Sequence, residues 1–178
     1  MLSCGHTCKG VENERRCLPC LDRDCIKESG AKLAGVSSGD ELCAICFTSE
    51  LNSEACSRLS CGHVFHTNCV VQLLKHKWST LRINFSFMSC PSCKKEIEFK
   101  GLSKPIAKEL RPLRSLKHKV ETEALFNAKR QRVLKDKRLT TKGDAYYNKP
   151  KEFAMHKCTF YECFRCKSPY FGGLIDCQ

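Results

Sequence analysis

From Cys43 onward the chain sets out eight potential metal ligands in a fixed rhythm: Cys43-x-x-Cys46, fourteen residues, Cys61-x-His63-x-x-His66-x-x-Cys69, twenty residues, Cys90-x-x-Cys93. A Cys-x-x-Cys pair sits on a tight knuckle whose turn points both sulfurs at one ion. Tetrahedral zinc then takes two further thiolate or imidazole ligands from elsewhere. Eight ligands make two sites, and the pairs close either sequentially or by interleaving. Interleaving puts Cys43, Cys46, His66 and Cys69 on one zinc and Cys61, His63, Cys90 and Cys93 on the other. Both metals then brace one small fold, and each contributes about 10–16 kcal/mol of binding energy that doubles as folding energy.

Composition agrees with metal stapling. Cysteine supplies 16 of 178 residues, while 42% of the chain is hydrophobic and 8% aromatic. Small modules of that composition bury too little apolar surface to stand alone. No run of 18 apolar residues is present, so no membrane span is expected. The segment Met1–Gly10 lacks the apolar run of a secretory signal. The expected compartment is therefore cytoplasmic and reducing, where thiols bind metals rather than each other. A first cluster, Cys4-x-His6-x-Cys8, eight residues, Cys17-x-x-Cys20, four residues, Cys25, offers six candidates for one more zinc. Its expected halves are the Cys17/Cys20 knuckle and Cys4 with Cys8 or His6, leaving Cys25 as a spare or replacement. A fully coordinated site keeps no position for water or substrate, so its role is read as structural. Cys163-x-x-Cys166 is one further knuckle, half of a site, which only His156, Cys158 or Cys177 could complete within this chain.

The net charge of +12 is concentrated. Residues 100–151 hold 16 Lys/Arg against five Asp/Glu and no cysteine. Within them Leu102, Ile106, Leu110, Leu113, Leu116 and Val120 recur at helical spacing, with Pro112 expected to kink or divide the helix. A second helical stretch is expected through Val133–Leu134. Lys129, Arg130, Arg132, Lys135, Lys137 and Arg138 crowd that part, as in a nucleic-acid contact. Phe126 is the only aromatic residue between Gly101 and Ala145, however, so base stacking has little to use and a solvated helical spacer is preferred. An acidic protein partner is a third reading. The Gly/Ser-rich stretch Gly30–Asp40 reads as a linker between the first two Cys clusters.

The ligand order, with Ile45 inside the first knuckle and Cys90-Pro91-Ser92-Cys93 as the last, resembles a RING finger of the two-histidine type. That resemblance implies a shallow apolar groove for a ubiquitin-conjugating enzyme, formed by the two zinc loops and the helix between them. Ile45 and Pro91 would be contact residues, and Lys94 would either bridge enzyme and ubiquitin or be solvated. The helix is expected at Val70–Lys77, with Val70, Val71, Leu73 and Leu74 as its apolar face. Trp78 at its end would be core or contact. A zinc module that binds some other partner is the bland alternative.

A closer resemblance lies in Cys43-Ala-Ile-Cys-Phe-Thr48, in Trp78–Phe87 leading to Met88-Ser-Cys-Pro-Ser-Cys93, and in a tail holding Tyr147-Asn148, Tyr161-Glu-Cys163-Phe-Arg-Cys166 and Tyr170-Phe-Gly-Gly173. These look like the C-terminal region of the Pam/Highwire family of ubiquitin ligases. In that family a RING is followed by a tandem-cysteine domain, and ubiquitin passes through two cysteine thioesters before esterifying Thr or Ser. The match of Tyr170–Gly173 implies Cys177 as the upstream relay cysteine, in competition with a zinc-ligand or free-thiol reading; the neighbouring Asp176 disfavours its thiolate. Cys158, where the family tends to have an aromatic residue, is read as a buried or free thiol, and Cys56 likewise.

The fold class that follows is one of small zinc-stapled α+β modules, a cross-braced RING finger flanked by an N-terminal zinc knuckle and a basic helical linker. The expected boundaries are 1–29 for the N-terminal zinc module, 30–40 for a linker, 41–99 for the RING, 100–145 for the basic helical linker and 146–178 for the start of an incomplete tandem-cysteine domain. The expected function is that of an E3 ubiquitin-protein ligase binding two zincs in the RING and one more near the N-terminus. Its partners would be a conjugating enzyme and ubiquitin, with nucleic acid not favoured and no membrane. The alternatives are a RING adaptor without covalent intermediate and a zinc-dependent nucleic-acid-binding or scaffold module.

Overall fold

A computed structural model of the chain describes residues 1–12, 14, 17–29, 33–78 and 80–172. They divide into two compact units, residues 1–77 with 86–111 and residues 78–85 with 112–178. Among the described residues no helix is long and apolar enough to cross a membrane.

The first unit is built on a short hairpin. Strand β1 (Cys56–Arg58) pairs antiparallel with β2 (Val64–His66) in the register Cys56↔His66, Ser57↔Phe65, Arg58↔Val64. Helix α2 (Thr67–His76) starts directly after β2. Val70 and Leu74, one helical turn apart, turn inward and join Leu51, Phe65, Met88 and Ile97 as buried side chains. Val71 and Leu73 stay half-exposed on the same helix. A buried chain of hydroxyls ties the elements: Ser57 Oγ meets Thr67 Oγ1 at 2.7 Å and donates to Ser103 Oγ at 2.9 Å. Ser103 directly precedes α3 (Lys104–Arg130), whose Ile106 and Leu110 are fully buried.

The N-terminal segment is stitched into this unit rather than set apart from it. The Cys56 amide donates to Lys9 O, Gly39 N–H to Leu21 O, and Ala34 N–H to Gly62 O. Leu18, Leu21, Leu33 and Ser38 are buried. The described part of the expected 30–40 linker is therefore packed chain, which corrects the reading of 1–29 as a separate module; helix α1 (Arg23–Ser29) lies within the same unit. Gly39 gives the reason. A Cβ there would meet Asn52 Cβ, Leu21 Cβ and Leu21 O at 3.1–3.2 Å, so this glycine serves close packing and not chain freedom.

In the second unit α3 supplies the central face. It runs 27 residues without a break although Pro112 sits inside it, and the division between units falls at Pro112. Of the two outcomes expected at Pro112, a kink or a division, the division does not occur. Val120, Ala124 and Ala128, four residues apart, are all fully buried and pack with Ile83, Ala154, Cys158 and Phe160. Helix α4 (Pro150–Lys157) and strands β3 (Phe160–Glu162) and β4 (Pro169–Phe171), paired antiparallel, complete the unit. The stretch 78–85 belongs here. Ile83 N–H donates to Phe160 O at 2.9 Å, and Arg82 bridges Tyr161.

Two expected boundaries change accordingly. Residues 78–85 leave the 41–99 block, and the second half of the 100–145 segment is core-forming rather than a bare spacer. The second helical stretch is instead two 3₁₀ turns, Val133–Lys135 and Lys137–Leu139. Arg132 in left-handed conformation (φ 59°) ends the α-helical path, and Asp136 caps the second turn by accepting from Arg138 N–H.

Candidate metal centres

The eight central ligands fall into two sets. Cys43, Cys46, His66 and Cys69 form one, and Cys61, His63, Cys90 and Cys93 the other, with the ligand atoms of each set within 4.8 Å of one another. This is the interleaved grouping, and the hairpin produces it. Cys61 and His63 lie in the β1–β2 connection, His66 ends β2, and Cys69 sits in the first turn of α2.

Each knuckle has the same backbone. Phe47 N–H donates to Cys43 O and Lys94 N–H to Cys90 O, both at 2.9 Å, with Phe47 and Lys94 left-handed at φ 56° and 61°. That turn aims amides at the second sulfur. Backbone N–H donation from Thr48, with further donation from the Thr48 side chain and the Ser49 N–H, lowers the Cys46 thiol to about 6, and donation from Lys95 N–H lowers Cys93. Burial first, then neighbouring thiolates, pushes Cys69 up to about 12; burial likewise leads the rise of Cys61 to about 11. A divalent ion relieves that conflict, because it displaces the protons and neutralises the crowded sulfurs.

His66 is oriented for ligation. Its Nε2 lies 2.8 Å from Glu50 O, and a carbonyl only accepts, so Nε2 carries the proton. The unprotonated Nδ1 then faces Cys46 and Cys69 at 3.7 Å from each sulfur. Three thiolates and one imidazole suit zinc, and the clusters are able to hold metal ions of that kind.

The N-terminal residues divide differently from expectation. Cys4, His6, Cys20 and Cys25 converge within 4.8 Å, while Cys8 and Cys17 converge with Glu14. Cys17 and Cys20 thus do not share an ion, and Cys25 is a full member of its set rather than a spare. Helix α1 explains this: Asp22 Oδ1 accepts from the amides of Asp24 and Cys25, and the capped first turn brings Cys25 Sγ to 3.3 Å from His6 Nδ1. The opposite ring nitrogen of His6 lies 3.8 Å from Asp22 Oδ2. Backbone and side-chain hydrogen bonds from His6 lower the Cys4 thiol to about 7. Glu14 is the member absent from the spacing; Cys25, one of the six candidates and read as a spare or replacement, stands in the set where Cys8 or Cys17 was expected.

The third knuckle repeats the pattern of the other two. Lys167 N–H donates to Cys163 O at 2.9 Å with Lys167 at φ 57°, and Cys163 N–H donates to Ser168 O. Among the described residues Cys163 and Cys166 join no group of three or more ligands, and Cys177 lies outside those residues. Cys158 is buried and points its thiol at Ala124 O, and Cys56 at Leu51 O. Burial pushes the Cys56 thiol up to about 12, aided by the Cys43 and Glu54 charges. Ile45 and Pro91 are half-buried on their knuckles, and the exposed Lys94 turns its Nζ onto Pro91 O at 2.8 Å. Trp78 packs edge-on to Phe85 and against the core of the second unit, in line with the core reading of the two expected for it.

Residues 40–101 match the FANCL C-terminal domain family. Over 180 aligned positions, 98% of the chain, the sequence is 37% identical to the E3 ubiquitin-protein ligase MYCBP2 of Danio rerio. It is 36% identical over 181 positions, again 98% of the chain, to the E3 ubiquitin-protein ligase highwire of Drosophila melanogaster. The chain spans only 4% and 3% of the length of those relatives.

Proposed function

We propose that this chain, a homologue of one short region of the Pam/Highwire ubiquitin ligases, is a ubiquitin ligase module whose first unit is a RING finger that docks a ubiquitin-loaded conjugating enzyme. The observation that carries the reading is the interleaved pair of three-thiolate, one-imidazole clusters with α2 between their knuckles. Two zincs would occupy them and a third the set Cys4, His6, Cys20 and Cys25. Zinc here supplies rigidity. Each of these three sets offers four protein ligands, which would fill a tetrahedral ion and leave no position for a hydrolytic water.

Docking then falls to apolar side chains that the metals hold in place. Ile45 and Pro91, each half-buried on a knuckle, with Val71 and Leu73 on α2 are the residues available for it. Lys94 beside Pro91 supplies a cation for the ubiquitin side of the complex. The relay reading rests on the tail motif that ends at Gly173. In it the Cys177 thiolate attacks the carbonyl carbon of the ubiquitin thioester, a new S–C bond forms, and the cysteine of the conjugating enzyme leaves as thiolate. Direct transfer, without that intermediate, is the competing mechanism.

Incubating the chain with ubiquitin-loaded conjugating enzyme separates them. A reducible ubiquitin adduct lost in Cys177→Ser supports the relay; discharge that survives Cys177→Ser supports direct transfer. Ile45→Ala is expected to slow discharge at least about tenfold, the loss of one well-packed contact of 1.4 kcal/mol or more. Identical behaviour of Ile45→Ala and wild type, with no enzyme bound, overturns the ligase reading and turns attention to salt-dependent RNA binding by the basic segment.

A further inference from the structure

Cys8, Glu14 and Cys17 form a group of their own, apart from the four-ligand sets. Their ligand atoms lie within 4.8 Å of one another, with Cys8 Sγ and Cys17 Sγ 3.0 Å apart. The surroundings are shaped to present them. Gly10 N–H donates to Cys8 Sγ at 3.3 Å, which fixes the sulfur's position. Leu18 N–H donates to Glu14 Oε1 at 2.6 Å and holds the carboxylate beside the two sulfurs, while the Leu18 side chain is buried and anchors the loop. Gly10 also makes room. A Cβ at that position would collide with Glu14 Oε1 and fall 3.1 Å from Leu18 Cβ, so a side chain there would displace the carboxylate from its present place.

Two cysteine sulfurs and one carboxylate face one another on a partly exposed surface, and the Cys8 contact, burial and the Glu14 charge push the Cys17 thiol up to about 11. We propose that Cys8, Glu14 and Cys17 are a second N-terminal metal site, a three-ligand position for a zinc-type divalent ion whose fourth vertex is left to water. Binding is an exchange: each cysteine releases its thiol proton to solvent as the ion is bound, and no oxidant is consumed. The site differs in kind from the other three. Those each offer three sulfurs and one nitrogen, whereas this one offers two sulfurs and a carboxylate oxygen with an open position. It is therefore both the weakest and the most exchangeable of the four.

The difference in donors makes the test specific. The full chain is loaded with cadmium and examined by cadmium NMR, with zinc content measured in parallel by native mass spectrometry. The expected result is one oxygen-rich resonance, well separated from the sulfur-dominated ones, that disappears alone in Cys17→Ser with the loss of one metal per chain. Glu14→Gln keeps an oxygen acceptor for Leu18 N–H, so the fold persists; it is expected to weaken this one site tenfold or more and leave the others. Gly10→Ala should do the same by displacing the carboxylate. Unchanged metal content in Cys17→Ser overturns the proposal. So does a metal-loaded protein lighter by two hydrogens with Cys8 and Cys17 cross-linked, the mark of a disulfide.

Discussion

At the scale of single residues, the same atom type has three fates here, decided by what surrounds it. Cys46 accepts backbone amides and is drawn toward thiolate, whereas Cys56 is fully buried, donates its thiol to Leu51 O, and is raised by that burial to about 12. Cys158 is likewise raised by burial. Both buried thiols should therefore resist maleimide at pH 7.5 in the zinc-loaded protein, while the exposed Cys166 reacts. Peptide mapping after timed labelling checks this; labelling of Cys56 at the rate of Cys166 would mean that its pocket opens. Trp78 and Ile45 make the complementary pair. Trp78 packs against the second unit's core and Ile45 sits half-exposed on a knuckle. Trp78→Ala should cost about 3 kcal/mol of stability, as truncation of a packed aromatic does. Ile45→Ala should leave the melting curve within about 0.5 kcal/mol of wild type, as for an unburied position, and act only on discharge. Thermal unfolding read beside the discharge assay separates the two roles.

At the scale of elements, what was legible depended on how local its cause is. A knuckle needs five or six consecutive residues, so Cys43–Phe47, Cys90–Lys94 and Cys163–Lys167 could each be read from spacing. Helix α2 was equally plain, since Val70 and Leu74 mark its inner face within one turn. Three things were hidden because their causes lie far along the chain. The destination of 78–85 depends on Phe160 and Tyr161, some eighty residues on. The division of Cys17 from Cys20 depends on the Asp22 cap and α1. Gly39 looks like a linker glycine until Leu21 and Asn52 are beside it. The helix continues through Pro112 for a different reason. Proline removes one helix hydrogen bond at a cost of about 3 kcal/mol, but the buried residues on both sides, Ile106 and Leu110 before it and Val120, Ala124 and Ala128 after it, outweigh that cost. Pro112 itself is exposed. Pro112→Ala should consequently stabilise α3 by about 1–3 kcal/mol, since the restored N–H meets no side-chain obstacle. Circular dichroism at 222 nm during urea titration reads it, and a loss of stability would show that a bend at this position is needed.

At the scale of the whole molecule, metal and apolar packing divide the work between the two units. All four clusters lie between Cys4 and Cys93, inside the first unit, while the core of the second is Ile83, Val120, Ala124, Ala128, Ala154, Cys158 and Phe160. If the clusters hold structural zinc as proposed, each ion would add about 10–16 kcal/mol of binding energy to the first unit, and removing the ions should unfold it outright. The second depends on buried side chains worth about 1.5–3 kcal/mol each, a term that chelation does not touch. Trp78 is the only tryptophan of the chain and reports on the second unit. Excess chelator is therefore expected to lower the far-ultraviolet signal in part and to expose the thiols at Cys43–Cys93, while Trp78 emission keeps its native wavelength until the protein is heated. A shift of Trp78 emission in step with zinc release gives the opposite answer. It would mean that metal release and the unfolding of the second unit are one cooperative event.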